Sequence, residues 1–313
     1  MTRTPSTQQQ GKSVTLVGFG NWGTALAWAL VAAGVPLHEI VVRKLREDER
    51  KRAKKLGARL VTLGPTGRPS AKLDAEIIWI CTPDAAIAAT AATLARRGLQ
   101  QRRPIVLHSS GALASTEMAA LRKAGAGAVS IASVHPLMSF PRRAAAALQG
   151  VPFAIEGDAR AVRAATLLVR RLGGAPFTLR TRDKALYHAF GAFASPLLAS
   201  LLTAALSVGR AAGFSQTDAA RRMRPIVERT VENFFQHGPA QSFSGPVARG
   251  DVATVARHLA VLQAHPPLQE VYRALQSFAL TTLPVKRKAE LRALLAGRGT
   301  PRASRRRSAT STA

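Results

Sequence analysis

The stretch Val14-Thr15-Leu16-Val17-Gly18-Phe19-Gly20-Asn21-Trp22-Gly23 decides how the rest of the chain is read. Its first four residues make a short apolar strand, and Thr24–Ala33 continues as an Ala- and Leu-rich helical run. The glycines between them follow the spacing G-x-G-x-x-G, and in that setting each has a separate job. Gly18 permits the tight turn, Gly20 lets the backbone approach a pyrophosphate, and Gly23 lets helix and strand pack closely. The helix start then offers free N–H groups and a partial positive charge to the phosphates. A dinucleotide site built from Gly18, Phe19, Gly20, Asn21, Trp22 and Gly23 is expected.

The second strand bears on which dinucleotide. An NAD site places an acid at its end to bind the ribose hydroxyls. Here Ile40-Val41-Val42 runs into Arg43-Lys44, and no carboxylate follows until Glu47. A guanidinium pairs with a 2′-phosphate that an acid would repel, so NADP is expected in preference to NAD. Further on, Ile80-Cys81-Thr82-Pro83-Asp84 closes another strand. Thr82 and Pro83 are expected to wall the cofactor ribose, Asp84 to cap the following helix, and Cys81 to be a small buried hydrophobe.

Working outward, 313 residues suggest two domains, and 47% hydrophobic residues suffice for a buried core. Short strand-like runs at Val14–Val17, Ile40–Val42, Ile77–Ile80, Ile105–Leu107, Val129–Val134, Phe153–Ile155 and Phe177–Leu179 alternate with helical stretches. That alternation predicts an α/β, Rossmann-type, mainly parallel sheet covered on both faces. No comparable strand follows Arg182, which predicts a C-terminal all-α domain. The expected division is a disordered lead (1–11), a Rossmann-like domain (12–181), a helical substrate and dimerisation domain (182–297) and a disordered basic tail (298–313). The uncharged segment Ala185–Gly209 is long enough to span a bilayer, but it holds His188, Ser195, Pro196 and other polar residues. It is read as a long central helix buried by its own domain and a partner subunit, with no membrane span.

One cysteine excludes a disulfide scaffold and a cysteine metal cluster, and the histidines show no ligand spacing with carboxylates, so no metal is expected. The polar N-terminus does not read as a signal peptide, and a cytoplasmic location is expected. Net charge is +28, from 45 basic against 17 acidic residues. The arginines are scattered, however, and aromatics make up 5%, which speaks against a nucleic-acid face; the basic tail is the one place such a partner would dock.

Chemistry is expected where strands end in polar residues. His108-Ser109-Ser110-Gly111 and Ser133-Val134-His135-Pro136-Leu137 open on the same sheet edge as the glycine loop. Ser109 and Ser110 are candidate substrate ligands or helix caps, and His135 a proton-exchanging group or a turn histidine. On the long helix, Lys184, His188, Gly191 and Ser195 fall on one face at 100° per residue. Lys184 and His188 are candidate catalytic groups there, Gly191 leaves room for a substrate, and Ser195 offers a hydroxyl. Ser244-Gly245-Pro246-Val247-Ala248-Arg249-Gly250-Asp251 breaks the helical pattern, with Asp251 expected to cap Val252–Leu262; the loop closes over substrate or builds a subunit interface.

Together the glycine loop, His108–Gly111, Ser133–Leu137, Lys184–His188 and Gly245–Asp251 resemble an uncharacterised family that joins a Rossmann-like NADP-binding domain to a helical domain of unknown function. That family is similar in plan to pyrroline-5-carboxylate reductase, 6-phosphogluconate dehydrogenase and 3-hydroxyisobutyrate dehydrogenase. The resemblance covers roughly residues 12–295 and implies a nicotinamide-linked oxidoreductase, dimeric through its helical domain, acting on a small-molecule substrate. In hydroxyacid dehydrogenases of this plan a lysine on the interdomain helix moves the proton, and an amide side chain follows four residues later. Lys184 matches the lysine; His188 stands where the amide would be, and Pro196 where the family has Asn. The expected function is therefore hydride transfer to or from a small carbonyl, imine or hydroxy acid. The alternative is a non-catalytic NADP(H) sensor or scaffold.

Overall fold

A computed structural model describes residues 12–63, 71–99, 103–123 and 129–297; the lead and the basic tail lie outside these. The chain divides into two compact units at Ser195/Pro196. The first contains β1 (Val14–Val17), α1 (Asn21–Ala32), β2 (Leu37–Val42), α2 (Glu47–Lys55), β3 (Arg59–Thr62), β4 (Ile77–Ile80), α3 (Asp84–Arg97) and β5 (Ile105–His108). A 3-10 turn at Ser115–Met118 leads to α4 (Ala120–Lys123), β6 (Ser130–Pro136), β7 (Pro152–Gly157), α5 (Ala159–Arg171), β8 (Ala175–Thr178) and α6 (Lys184–Ala192).

The sheet order is β3-β2-β1-β4-β5-β6-β7-β8. Every neighbouring pair is parallel except β6 and β7, which run antiparallel. The chain moves outward from β1 to β3 and then returns to place β4 on the other side of β1. That reversal opens a crevice at the carboxyl ends of β1 and β4, where ligands bind in open α/β sheets. Alternation along the strands sends Leu16, Trp79 and Leu107 into one core with α1, α2 and α5. It sends Val17, Ile78 and Val106 into the other, with α3 and α4. The expected mainly parallel sheet, covered on both faces, is the observed one.

The sequence pattern missed β3. Of Arg59-Leu60-Val61-Thr62 only Val61 is buried, because β3 is the sheet edge and pairs on one side alone.

The helical unit holds α7 (Leu198–Ala211), α8 (Gln216–Ser242, broken at Gly238), α9 (Pro246–Arg249), α10 (Val252–Leu262), α11 (Pro266–Thr282) and α12 (Lys288–Leu295). No strand occurs in it among the described residues. A small core forms around Val247, Val255, Leu259, Leu280 and Leu291. Asp251 caps α10 as expected, accepting the Thr254 N–H at 3.0 Å. Gly250 packs against the backbone at Lys286, and this draws the Ser244–Asp251 segment onto the start of α12.

The expected buried central helix needs correction. Between α6 and α7 a π turn, Phe193–Leu197, surrounds Pro196. Proline has no N–H to give the carbonyl four residues back, and its ring crowds that carbonyl, so the helix widens there. The run Thr181–Ala211 is long and apolar enough to cross a membrane by length and composition, yet none of its apolar window is buried. Absence of charge had read as burial by the chain itself; instead an apolar surface stays open in the single chain.

Candidate functional site

The glycine loop follows β1 directly. The Gly18 N–H donates to the Val41 carbonyl (2.8 Å), and the Cys81 N–H donates to the Val17 carbonyl (2.7 Å), which extends the sheet past the strand ends. Gly18 has φ +111°, and a Cβ there would lie 2.7 Å from the Cys81 carbonyl oxygen. A Cβ on Gly23 would overlap the Gly18 carbonyl oxygen. Around Gly20, by contrast, an added Cβ meets nothing within 4 Å. Two of the glycines are thus required by packing, and the third keeps one side of the loop bare.

The side chains between them anchor the loop from behind. Phe19 is buried, with the Arg52 guanidinium 5.4 Å from its ring centroid. Asn21 Nδ2 donates to the Phe140 carbonyl (2.8 Å). Trp22 packs on Phe140 and Phe153, with ring centroids 4.8 and 6.0 Å away, and its Nε1 donates to Ser109 Oγ (2.7 Å). What this loop presents to a ligand is its backbone and the opening N–H groups of α1.

Two observations fit a dinucleotide here. Thr82 Oγ1, just past the end of β4, is buried with no hydrogen-bond partner, and such an orphan costs about 1–3 kcal/mol unless something pairs with it. Arg43 and Lys44 stand exposed directly after β2, with no carboxylate before α2 begins. Pro83, not Asp84, is the N-cap residue of α3. Asp84 accepts a hydrogen bond from Ser110 Oγ at 2.8 Å, a partner invisible to local capping rules because it comes from another strand. Burial pushes the Cys81 thiol up, out of the range in which it reacts.

The second cluster lies at the ends of β5 and β6. Ser109 accepts from the indoles of Trp22 (2.7 Å) and Trp79 (2.8 Å). Ser110 accepts from the N–H groups of Ala112 (3.2 Å) and Leu113 (2.9 Å) while donating to Asp84. The two serines therefore shape the turn and the crevice wall. His108 is fully buried; its Nδ1 accepts from the Ser110 N–H (3.1 Å), so its Nε2 carries the proton and donates to the Ala114 carbonyl (3.1 Å). Burial lowers its pKa to about 4.

Helix α6 brings in the remaining groups. It turns Lys184, Tyr187 and Gly191 inward, spaced i, i+3, i+7, leaving His188 exposed at the rim and Ser195 exposed in the π turn. The face expected from the sequence was 184, 188, 191 and 195, and Ser195 is not brought to this cluster. Gly191 sits 3.1 Å from Leu137 Cδ1, measured from the Cβ it lacks, so Leu137 takes up the room. Lys184 is buried, 2% exposed; its Nζ donates to Ser133 Oγ (2.6 Å) and lies 3.7 Å from Glu156 Oε1. Burial lowers the Lys184 pKa, and Glu156 opposes that shift. Glu156 also accepts from the Ser115 N–H (2.7 Å), Ser115 Oγ (3.0 Å) and Thr181 Oγ1 (3.1 Å).

Beside this pair, His135 Nδ1 and the Tyr187 hydroxyl share a hydrogen bond of 2.8 Å. The His135 and His188 rings meet edge to face with centroids 6.3 Å apart. The two rings crowd onto Gly111, since a Cβ there would lie 2.8 Å from both His135 Nε2 and His188 Cδ2. His135 is lowered to about 4, first by burial and then by the Lys184 ammonium, while burial raises Tyr187 to about 12. At neutral pH the imidazole of His135 is neutral and the Tyr187 phenol un-ionised, beside the buried Lys184–Glu156 pair. Tyr187 and Glu156 were not singled out from the sequence. The one signal was a carboxylate ending the apolar strand Phe153-Ala154-Ile155.

A 3-2-1-4-5-6 strand order with a glycine turn at its switch point defines a Rossmann-type dinucleotide fold, here extended by β7 and β8 and followed by a helical unit. The family comparison agrees: residues 2–136 match the Rossmann-like domain and residues 151–278 match a domain of unknown function, DUF2520. The chain is a Rossmann-like domain joined to a DUF2520 domain.

Among solved structures, a Bacteroides fragilis candidate NADP oxidoreductase is 18% identical with TM-score 0.69, over 86% of this chain and 97% of that one. An imine reductase from Myxococcus stipitatus in complex with NADP+ is 18% identical with TM-score 0.60, over 92% and 96%. Pyrroline carboxylate reductase from Plasmodium falciparum with NADP bound is 12% identical with TM-score 0.55, over 93% and 99%. At these identities the likeness establishes the fold. Comparison with curated proteins gave no match.

Proposed function

We propose that the protein is an NADP-dependent oxidoreductase that transfers a hydride to or from a small carbonyl, imine or hydroxy-acid substrate. The observation that carries this reading is the convergence of two sites on one sheet edge. The glycine loop at the switch point, with the orphan Thr82 hydroxyl, is linked through the Trp22–Ser109 bond to the end of β5, and Ser133 Oγ donates to the Ser110 carbonyl (3.0 Å) from β6, the strand that bears His135. The solved structures that share the fold include NADP-bound reductases, which supports the same reading.

The loop backbone and the start of α1 would hold the pyrophosphate, Thr82 and Pro83 the ribose, and Arg43 and Lys44 the 2′-phosphate. The nicotinamide, when bound, supplies or accepts the hydride. The chain's own task is the proton. His135 Nε2 lies against Gly111, beside His188, and its Nδ1 contacts Tyr187. As Nε2–H passes its proton to the substrate heteroatom, Nδ1 takes one from the Tyr187 phenol. The Lys184 ammonium, on the same helix face as Tyr187, stabilises the phenolate that results. Lys184 thus acts from behind the proton relay, a position its burial favours over direct contact with substrate.

The test is a paired titration with NADPH and NADH, followed by nicotinamide fluorescence. Wild type is expected to prefer NADPH by at least about tenfold, consistent with a charge-assisted phosphate contact, and Arg43→Asp to reverse the order. Binding of neither nucleotide overturns the reading. Binding without turnover of any carbonyl or imine would leave a sensor.

Each unit leaves large apolar residues open, which supports a homodimer. Leu186, Phe190 and Phe193 on the α6 side, and Phe234, Phe235 and Phe278 in the helical unit, are all exposed. Such surface is rare on a monomer. Sedimentation is expected to give two chains per particle. A monomer, or co-sedimentation with lipid vesicles, would overturn the dimer.

A further inference from the structure

We infer that Arg143, far from the nucleotide loop in sequence, is a second determinant of the preference for NADP; the inference rests on the cofactor reading above and adds to it a residue and a mechanism. The segment Phe140–Arg143, between β6 and β7, is held across the tops of two helices. At one end the Asn21 side chain, on the first residue of α1, donates to the Phe140 carbonyl (2.8 Å), and the Phe140 ring packs on Trp22 (centroids 4.8 Å apart). At the other end Arg143 Nη1 lies 3.6 Å from Oε1 of Glu49, in the first turn of α2.

That carboxylate matters because of where α2 begins. Arg43 and Lys44, proposed to bind the 2′-phosphate, lead through Leu45 and Arg46 directly into the turn containing Glu47, Asp48 and Glu49. Asp48 is paired with Arg52 at 3.0 Å. Glu49 is only 6% exposed, and among the described residues Arg143 is the cation paired with it. An uncompensated buried carboxylate in the turn that follows Arg43 and Lys44 would act on a 2′-phosphate as the acid of an NAD site does, by repulsion. Arg143 removes that repulsion. A guanidinium also has five N–H donors, and the Arg143 side chain is 40% exposed, so donors remain for the phosphate itself.

The experiment measures NADPH and NADH dissociation constants at low salt for wild type, Arg143→Ala, Glu49→Gln and the double variant, each checked for an unchanged Tm. Arg143→Ala is expected to weaken NADPH by about tenfold, the scale of one charge-assisted hydrogen bond, while moving NADH by less than about twofold. Glu49→Gln in the Arg143→Ala background is expected to restore at least about threefold of the NADPH affinity, because part of the loss is exposed repulsion. Wild type that binds NADPH, with an Arg143→Ala variant unchanged toward it or weakened equally toward both nucleotides, overturns this inference and leaves the cofactor reading intact. Failure of wild type to bind either nucleotide overturns both.

Discussion

Gly20→Ala is expected to leave Tm within a few degrees of wild type and to weaken NADPH by at least tenfold, whereas Gly23→Ala is expected to damage the fold itself. The two positions belong to the same loop, but the space around them differs. A Cβ on Gly20 meets nothing within 4 Å, so the substitution costs the folded protein only the small N-cap difference between Gly and Ala, under about 1 kcal/mol. That same methyl stands on the bare side of the loop, where a pyrophosphate must approach the backbone to about hydrogen-bond distance. At Gly23 the methyl overlaps a backbone carbonyl, and backbone cannot rotate away as a side chain can. Strain of about 3 kcal/mol or more follows, lowering Tm by about 5–10 °C in a domain of this size. Thermal melts and NADPH titrations on both variants check this. Equal loss of Tm in the two would mean that Gly20 is also needed for packing, and unchanged NADPH affinity in Gly20→Ala would mean that the ligand does not approach there.

The contrast between those glycines explains how much could be read from sequence. The glycine loop was legible because its requirements are local: a strand, a turn and a helix within a few residues. The sheet was legible for a similar reason, since strands buried on both faces are runs of Ile and Val. An edge strand buries less, and of Arg59–Thr62 only Val61 is buried, too short an apolar run to mark a strand. Partners far away in sequence were not legible. Asp84 read as a helix cap because Ser110 is out of local view. Glu156 carried no local signal beyond following an apolar strand, although it is 3% exposed and bonded to Ser115, Thr181 and Lys184. The face of α6 was misjudged for two physical reasons. Tyr187, an amphipathic ring with a polar tip, takes an inward position that the eye gives to His188. Beyond it, Pro196 widens the helix, so counting 100° per residue fails before Ser195 is reached.

Lys184→Met is expected to be the most destabilising single change in the cluster, and for that reason its loss of activity alone would prove nothing. Removing the ammonium leaves Glu156 buried with three neutral donors and no cation. Breaking a buried pair from one side costs about 3–5 kcal/mol, a large share of a typical protein's stability. Replacing both ends is a different matter, since a neutral pair of similar volume restores most of that loss. In Lys184→Met/Glu156→Gln the amide oxygen still accepts from Ser115 and Thr181, so α6 keeps its place against β7. Urea unfolding is expected to show the single variant at least about 3 kcal/mol below wild type and the double variant within about 1.5 kcal/mol of it. A single variant as stable as wild type would mean that the pair is not coupled in the folded protein. The double variant then isolates the chemistry. With the fold and NADPH affinity retained but no cation behind Tyr187, turnover of any carbonyl or imine substrate is expected to fall by about a hundredfold, the lower end of what a positioned proton donor contributes. Full turnover in the stable double variant would reduce Lys184 to a structural residue and leave the His135–Tyr187 pair to move the proton unaided.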